Sequence, residues 1–209
     1  MIYLIGGPPR SGKTILAEAL ARKTSFPYFT LDHVTSVIVP YIPEPQHPAN
    51  LPLRVARQAT HFSNDAFYAR YSTDDIIDMY VRQAETCWPG IKNFITYALQ
   101  DGHDFILEGW QILPRLLVTA VTPEHQGALK IVFLYKTNVD MIVGGLKANT
   151  GKNDWVMKNT REESTFLAIA TMLGRFGNVI REDAEKCRFR AVNTESRFKE
   201  AIDEAVKAL

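Results

Sequence analysis

Five short apolar segments alternate along the chain with longer segments whose apolar residues recur every three to four positions. IYLI, FPYFTLD, FILEGW, KIVFLYKT and FRAVNT are brief, rich in β-branched or aromatic residues, and bounded by turn formers, as buried strands are. The second of them is predicted to end near Asp32. Between them, SGKTILAEALARKT places Ile15, Leu16, Ala19 and Leu20 on one helical face. STDDIIDMYVRQAETCWPGIKNFITYALQ begins with a Ser72–Asp75 variant of the capping box, and Pro89 is expected to kink or break it before Gly102 ends it. NVDMIVGGLKAN predicts a helix, TREESTFLAIATML another behind a Thr160–Glu163 capping box, and ESRFKEAIDEAVKAL a last one with the stripe Phe198, Ile202, Ala205, Val206 and Leu209. Strands alternating with helices imply an α/β fold, a mostly parallel sheet covered on both faces. Only His33 to Tyr71 resists this reading. Its proline-rich VPYIPEPQHPANLP reads as loop or short turns, and the residues after it are irregularly helical.

The turn after the first strand carries the chemistry. Gly7-Pro8-Pro9-Arg10-Ser11-Gly12-Lys13-Thr14 fits G-x-x-x-x-G-K-[ST] without a gap, between an apolar strand and a helix. Glycines let backbone N–H groups close on anionic oxygens, and the helix N-terminus adds a favourable dipole. Lys13 is placed to reach the β- and γ-phosphates of a nucleoside triphosphate, and the Thr14 hydroxyl to bind Mg²⁺.

In an open α/β sheet, ligands gather beyond the carboxyl ends of the strands. Asp32 and Glu108 stand at two such ends. Asp32 can orient or deprotonate an acceptor hydroxyl, and Asp is equally a common helix N-cap. Glu108 can hold Mg²⁺ through water, orient the acceptor, or serve as a buried turn carboxylate satisfied by backbone donors.

GGPPRSGKT, TLD and FILEGWQILP together resemble the adenylate-kinase-like small-molecule kinases that carry a P-loop. LEG followed by an apolar stretch and Pro is most similar to 2-phosphoglycerate kinases and related phosphotransferases. The motifs cover residues 1–32 and 104–114, and the likeness elsewhere is topological. The resemblance implies a three-layer fold with a five-stranded parallel sheet in order 2-3-1-4-5, ATP with Mg²⁺ as donor, and a lid at about residues 144–165. It implies that Asp32 binds or activates the acceptor. Glu108 matches a second strand-end carboxylate, where many relatives carry Asp for magnesium. VNTES after the last strand matches a loop that contacts adenine through its backbone.

Lid cations are drawn from Lys147, Lys152, Lys158 and Arg161, with Arg161 first because it opens the predicted lid helix, and Gly144, Gly145 and Gly151 offer hinges. The closely spaced arginine pairs of many relatives are missing from this stretch. Residues 33–71 form the expected acceptor-binding excursion. In it Arg54, Arg57 and Arg70 suit an anionic substrate, while Phe62, Phe67, Tyr68 and Tyr71 suit an apolar pocket or plain core. His33 stands beside Asp32.

Composition narrows the classes. A chain of 209 residues with 46% apolar and 22% charged residues is expected to be one globular domain. A net charge of +1 calls for neither nucleic acid nor an anionic membrane. Cys87 and Cys187 lack metal-ligand spacing and are expected reduced and buried. No apolar run reaches the roughly 18 residues of a membrane span, and the start lacks a basic leader, so a complete, cytoplasmic protein is expected. The reading is a Mg²⁺-ATP-dependent kinase that phosphorylates a small molecule, with adenine favoured by the absence of an Asn-Lys-x-Asp guanine signature. The alternative is a P-loop NTPase acting as a switch or regulatory binding module.

Overall fold

The computed structural model describes residues 1–120, 127–148 and 154–209. At its centre lie five parallel strands: β1 (Ile2–Gly6), β2 (Tyr28–Thr30), β3 (Phe105–Glu108), β4 (Leu129–Tyr135) and β5 (Arg190–Asn193). Their spatial order is β2-β3-β1-β4-β5, the order the resemblance implies. β1 is central and buried throughout, and the pleat sends its side chains alternately to two cores. Tyr3 and Ile5 pack with Leu16, Ala17 and Leu20 of α1 (Lys13–Thr24) and with Ile202 and Ala205 of the C-terminal helix. Ile2 and Leu4 join the larger core on the opposite face.

The segment after β2 is helical where prolines had pointed to loop. It holds α2 (Leu31–Ile38), two 3-10 turns, α3 (His47–Asn50), α4 (Pro52–Ala59) and α5 (Asn64–Arg70). Pro40, Pro45, Pro48 and Pro52 each sit at the first or second position of one of these elements. A missing N–H costs nothing there, so the prolines start short helices rather than forbid them. β2 is also shorter than predicted: it stops at Thr30, and Asp32 belongs to the first turn of α2.

α6 (Thr73–Gln100) runs through Pro89 as one continuous helix, so of the expected kink or break the break does not occur. One lost hydrogen bond is offset by the burial of Ala84, Cys87, Trp88, Ile91 and Ile95 around it. Ser72 and Asp75 form the anticipated reciprocal cap at its start. At its end Gly102 takes φ +69°. Then follow α7 (Pro114–Leu117), α8 (Val139–Ala148), α9 (Trp155–Asn159), α10 (Glu163–Lys186) and α11 (Phe198–Ala208). The capping box expected at Thr160–Glu163 does not form. The Asp65 carboxylate reaches across from α5 and accepts from the backbone N–H groups of Arg161 and Glu162 (2.9 and 3.2 Å). Thr160 is occupied elsewhere, its hydroxyl accepting from Asn64 at 2.9 Å.

Cys87 is buried and Cys187 half-buried, both as free thiols. No described helix is long and apolar enough to cross a membrane.

Candidate active site

The phosphate loop is shaped by two glycines that no other residue could replace without strain. Gly7 has φ +138° and Gly12 φ +102°. A Cβ on Gly7 would lie 2.1 Å from the Leu134 carbonyl oxygen, and one on Gly12 2.8 Å from the Phe198 ring. Arg10 also takes a positive φ of 67°. The Ser11 hydroxyl is buried without a partner, and its backbone carbonyl accepts from Thr194 at 2.8 Å, which ties the loop to the end of β5.

Lys13 is buried, and its ammonium donates to the Pro8 carbonyl at 2.8 Å. Burial lowers its pKa from the ordinary lysine value, and the carboxylates of Glu108 and Asp32 work against that shift. The loop is therefore wrapped around a cation with two carboxylates in reach.

Strand register explains how those carboxylates arrive. Glu108 pairs with Ile5 of β1 and with Thr30 of β2, so three strand ends lie side by side. Glu108 is buried at 4% exposure, and its Oε1 accepts from the Thr14 hydroxyl at 3.1 Å. Asp32 Oδ1 accepts from Trp110 Nε1 and from Gln111 Nε2, each at 2.9 Å. Gln111 is fully buried, also donates to Thr35 at 3.0 Å, and leaves its Oε1 without a partner. Asp32 is thus no helix N-cap: two side chains of the loop after β3 hold one oxygen, and Oδ2 accepts from no protein donor among the described residues. Neither Trp110 nor Gln111 was singled out in the sequence, although both lie within FILEGWQILP.

Two clefts meet at the loop. One, of about 370 Å³, is lined by Gly12, Lys136, Ile142, Gly145 and Phe198. The other, of about 540 Å³, is lined by Asp32, His33, Tyr80, Glu108, Trp110 and Trp155. Arg10, Lys13 and Thr14 line both. The first cleft gathers cations as well: Lys136 stands over the Phe198 ring at 5.3 Å, its pKa lowered by burial and then by Arg10, with Glu195 opposing.

The lid candidates fare differently from expectation. Arg161 precedes α10, is exposed, and lines neither cleft. Its neighbourhood is Asp65, because the N–H at the start of α10 needs an acceptor there. Lys147 pairs with Glu163, and Lys158 is exposed on α9. Lys152 and Gly151 lie outside the described residues, whereas Gly144 and Gly145 are helical within α8. The cation that meets this segment is Arg10 of the phosphate loop. It pairs with Asp154 at 2.8 Å, while the other Asp154 oxygen caps α9 at Val156. Of the three arginines in the excursion, Arg54 and Arg70 are exposed, and Arg57 lines a third cleft beside the second.

This geometry has counterparts in known proteins. No protein-family model matches the chain. It is 29% identical over 117 residues to a mevalonate-3-phosphate 5-kinase of Thermoplasma acidophilum, a match covering 56% of this chain and 54% of that protein. The chain thus aligns with about half the length of that curated relative. Its fold matches a gluconokinase from Sinorhizobium meliloti with a TM-score of 0.51 at 13% identity, over 99% of this chain and 89% of the other. An uncharacterized protein from Eubacterium ventriosum matches with a TM-score of 0.51 at 15% identity, over 99% and 96% of the two chains. In fold and in its phosphate loop, the chain is similar to the P-loop small-molecule kinases.

Proposed function

We propose that this chain is a Mg²⁺-ATP-dependent kinase that transfers the γ-phosphoryl group to a hydroxyl of a small-molecule acceptor. One observation carries the reading: two clefts share Arg10, Lys13 and Thr14, and the carboxylate of Asp32 lies only on the second. A switch or a hydrolase needs the first cleft alone. The relative's name, which describes phosphoryl transfer to a small phosphorylated molecule, supports the same class.

The residues fit the donor. Gly7 and Gly12 hold the turn at positive φ against Leu134 and Phe198, where a Cβ has no room, and Lys13 and Arg10 supply positive charge around the loop. Thr14 and Glu108 present two adjacent oxygens, the hard donor set that Mg²⁺ shares with phosphates. When bound, Mg²⁺-ATP supplies the phosphoryl group and the metal neutralises its charge.

The chain's own residues do the rest. Trp110 and Gln111 pin Asp32 through Oδ1, leaving Oδ2 to take the proton of the acceptor hydroxyl. The acceptor hydroxyl oxygen, freed of its proton, would then take the phosphoryl group from bound ATP, with ADP as the leaving group. Lys13 and Arg10 stabilise the charge on the moving oxygens, and excluding water keeps the phosphoryl group from hydrolysis. In this assignment Arg10 takes the lid-cation role first given to Arg161. Residues 33–71 make the acceptor side of a single domain, and about 144–165 its lid.

The test is a panel of hydroxyl-bearing metabolites with Mg²⁺-ATP, scored by ADP release and by mass spectrometry of the product. One acceptor is expected to raise ADP release well above the rate with water and to gain 80 Da, roughly the mass of HPO₃. A slow ADP release that no acceptor changes would favour the regulatory-module reading instead.

A further inference from the structure

A third cleft, of about 270 Å³, adjoins the acceptor cleft and shares Tyr80 and Trp155 with it. Its wall is largely aromatic, with Phe62, Phe67 and Tyr68 beside Leu53 and Asn159, and among the described residues its one charged member is Arg57. The guanidinium lies over Phe67 at 4.7 Å and beside the Trp155 ring at 5.8 Å. Its hydrogen bonds go to neutral acceptors: Asn64 Oδ1 at 2.8 Å and the Phe62 carbonyl at 3.2 Å.

No carboxylate lies within ion-pairing distance of Arg57 among the described residues. Burial lowers its pKa from the ordinary guanidinium value, the mark of a cation taken from water without a counter-charge. Two of the five N–H donors of a guanidinium are used, and the rest meet no protein acceptor among the described residues.

The arrangement is nonetheless held firmly. Asn64 is fully buried and its amide also donates to Thr160, fixing Arg57 from α5 against the end of α9. His61 and Phe62 take positive φ values of 50° and 61°, a strained turn that brings the Phe62 carbonyl under the guanidinium. Strain and a half-buried lone cation make little sense as packing alone. They make a seat for an anion.

We propose that the Arg57 cleft binds the far end of the acceptor, and that the acceptor is an alcohol carrying an apolar body and a carboxylate or phosphate group. The anionic group pairs with Arg57, the body rests on Phe67, Tyr68 and Trp155, and the hydroxyl lies past Tyr80 towards Asp32. The hydroxyl end of this inference rests on the kinase reading, whereas the anion seat is tested without turnover.

Isovalerate, butyl phosphate and the neutral isovaleramide serve as probes, none of which has a hydroxyl to phosphorylate. They are titrated against the full-length protein by tryptophan fluorescence, since Trp155 lines the cleft. The two anions are expected to bind at least about tenfold more tightly than the amide, as a hydrogen-bonded charge warrants. Which anion binds better separates a carboxylate seat from a phosphate seat. Arg57→Gln is expected to reduce the preference to within about twofold, and Arg57→Lys to keep part of it. ATP affinity is expected to stay the same in both variants.

If Arg57→Gln does not fold, the lysine variant and the anion-to-amide ratio of the unmodified protein still decide. An amide that binds as tightly as the acids, an Arg57→Gln protein that keeps the preference, or anions that do not saturate overturns the proposal. Lys13→Ala is expected to leave the preference intact. Failure of the kinase reading would therefore appear in ADP release and not here.

Discussion

The cleft proposed for the nucleotide and the cleft proposed for the acceptor share Arg10, Lys13 and Thr14 and are built in opposite ways. The first centres on eight consecutive residues, Gly7 to Thr14, whose shape is set by backbone (two positive-φ glycines, a buried lysine and a helix start), with Lys136, Ile142, Gly145 and Phe198 along its wall. The second is made from side chains that meet only in the fold, from α2, α4, α5, α6, the loop after β3, and α9. Backbone recognition suits a phosphate chain common to every donor molecule. Side-chain recognition suits an acceptor whose identity must be told from its competitors, because each polar group can be placed or withheld separately. The contrast also separates the consequences of substitution. Damage to the first side should abolish all chemistry, and damage to the second should alter which molecule is used and how fast.

The largest expected effect is on the shared cation. Lys13→Ala is expected to lower phosphoryl transfer by roughly 10³-fold, with thermal stability unchanged or raised. The stability half follows because the buried ammonium is held against its desolvation cost. ADP release and thermal unfolding measure the two halves. Next, Gly7→Ala forces a Cβ to 2.1 Å from the Leu134 carbonyl at φ +138°. A loss of about 3 kcal/mol in urea unfolding is expected. Gly12→Ala is expected to lose less, because its obstacle is the Phe198 ring, a side chain that can turn aside.

Gln111→Leu sharpens the comparison from the acceptor side. It removes one of the two donors on Asp32 and also removes the unpartnered Oε1. A drop in kcat of about tenfold, roughly the worth of one hydrogen bond to a charged group, is expected with KM for ATP unchanged. A merely structural glutamine would move stability and both KM values together. The smallest effect belongs to Asp65→Ala, which removes the acceptor at the start of α10. About 1 kcal/mol of stability is expected to go, with catalysis untouched. Desolvation, the largest single influence, raises Asp65's pKa, but the hydrogen bonds from Thr165, Arg161 and Glu162, with the Arg161 charge, together outweigh it and leave the pKa below the ordinary carboxylate value. Its contribution is therefore full above that ordinary value and fades as pH falls through the lowered one. Unfolding of the two proteins compared at neutral and acid pH checks the sign.

What could be read beforehand divides along the same line. The loop and the strand–helix alternation were legible, because a contiguous motif and alternating apolar segments are local signals, whereas the sheet order came only through the resemblance to P-loop kinases that those motifs carry. Asp32 and Glu108 could be placed by strand ends, although the length of β2 and the start of α2 were misjudged by two residues. Gln111 and Trp110 were hidden because their partner lies 79 and 78 positions away. Asn64 was hidden for the same reason: its contact with Thr160 spans 96 positions. Arg161 was favoured as a lid cation from its position beside a helix start, a rule that ignores where the side chain must go once Asp65 takes the backbone. Pro89 obeyed local propensity on paper and yielded to burial in the fold. Periodicity reports how a segment presents its apolar face. It carries nothing about which polar residues meet across the sheet.

Asp32→Asn tests the central claim most directly, that two clefts with separate duties meet at the loop. ATP affinity and single-turnover phosphoryl transfer to the acceptor found in the panel are measured on this variant and on the unmodified protein. ATP affinity is expected to stay within about twofold, since Asp32 lines the acceptor cleft alone. Transfer is expected to fall by about 10²-fold or more with the loss of the general base. Transfer at an unchanged rate, or a loss of ATP affinity as large as the loss of rate, would contradict the account.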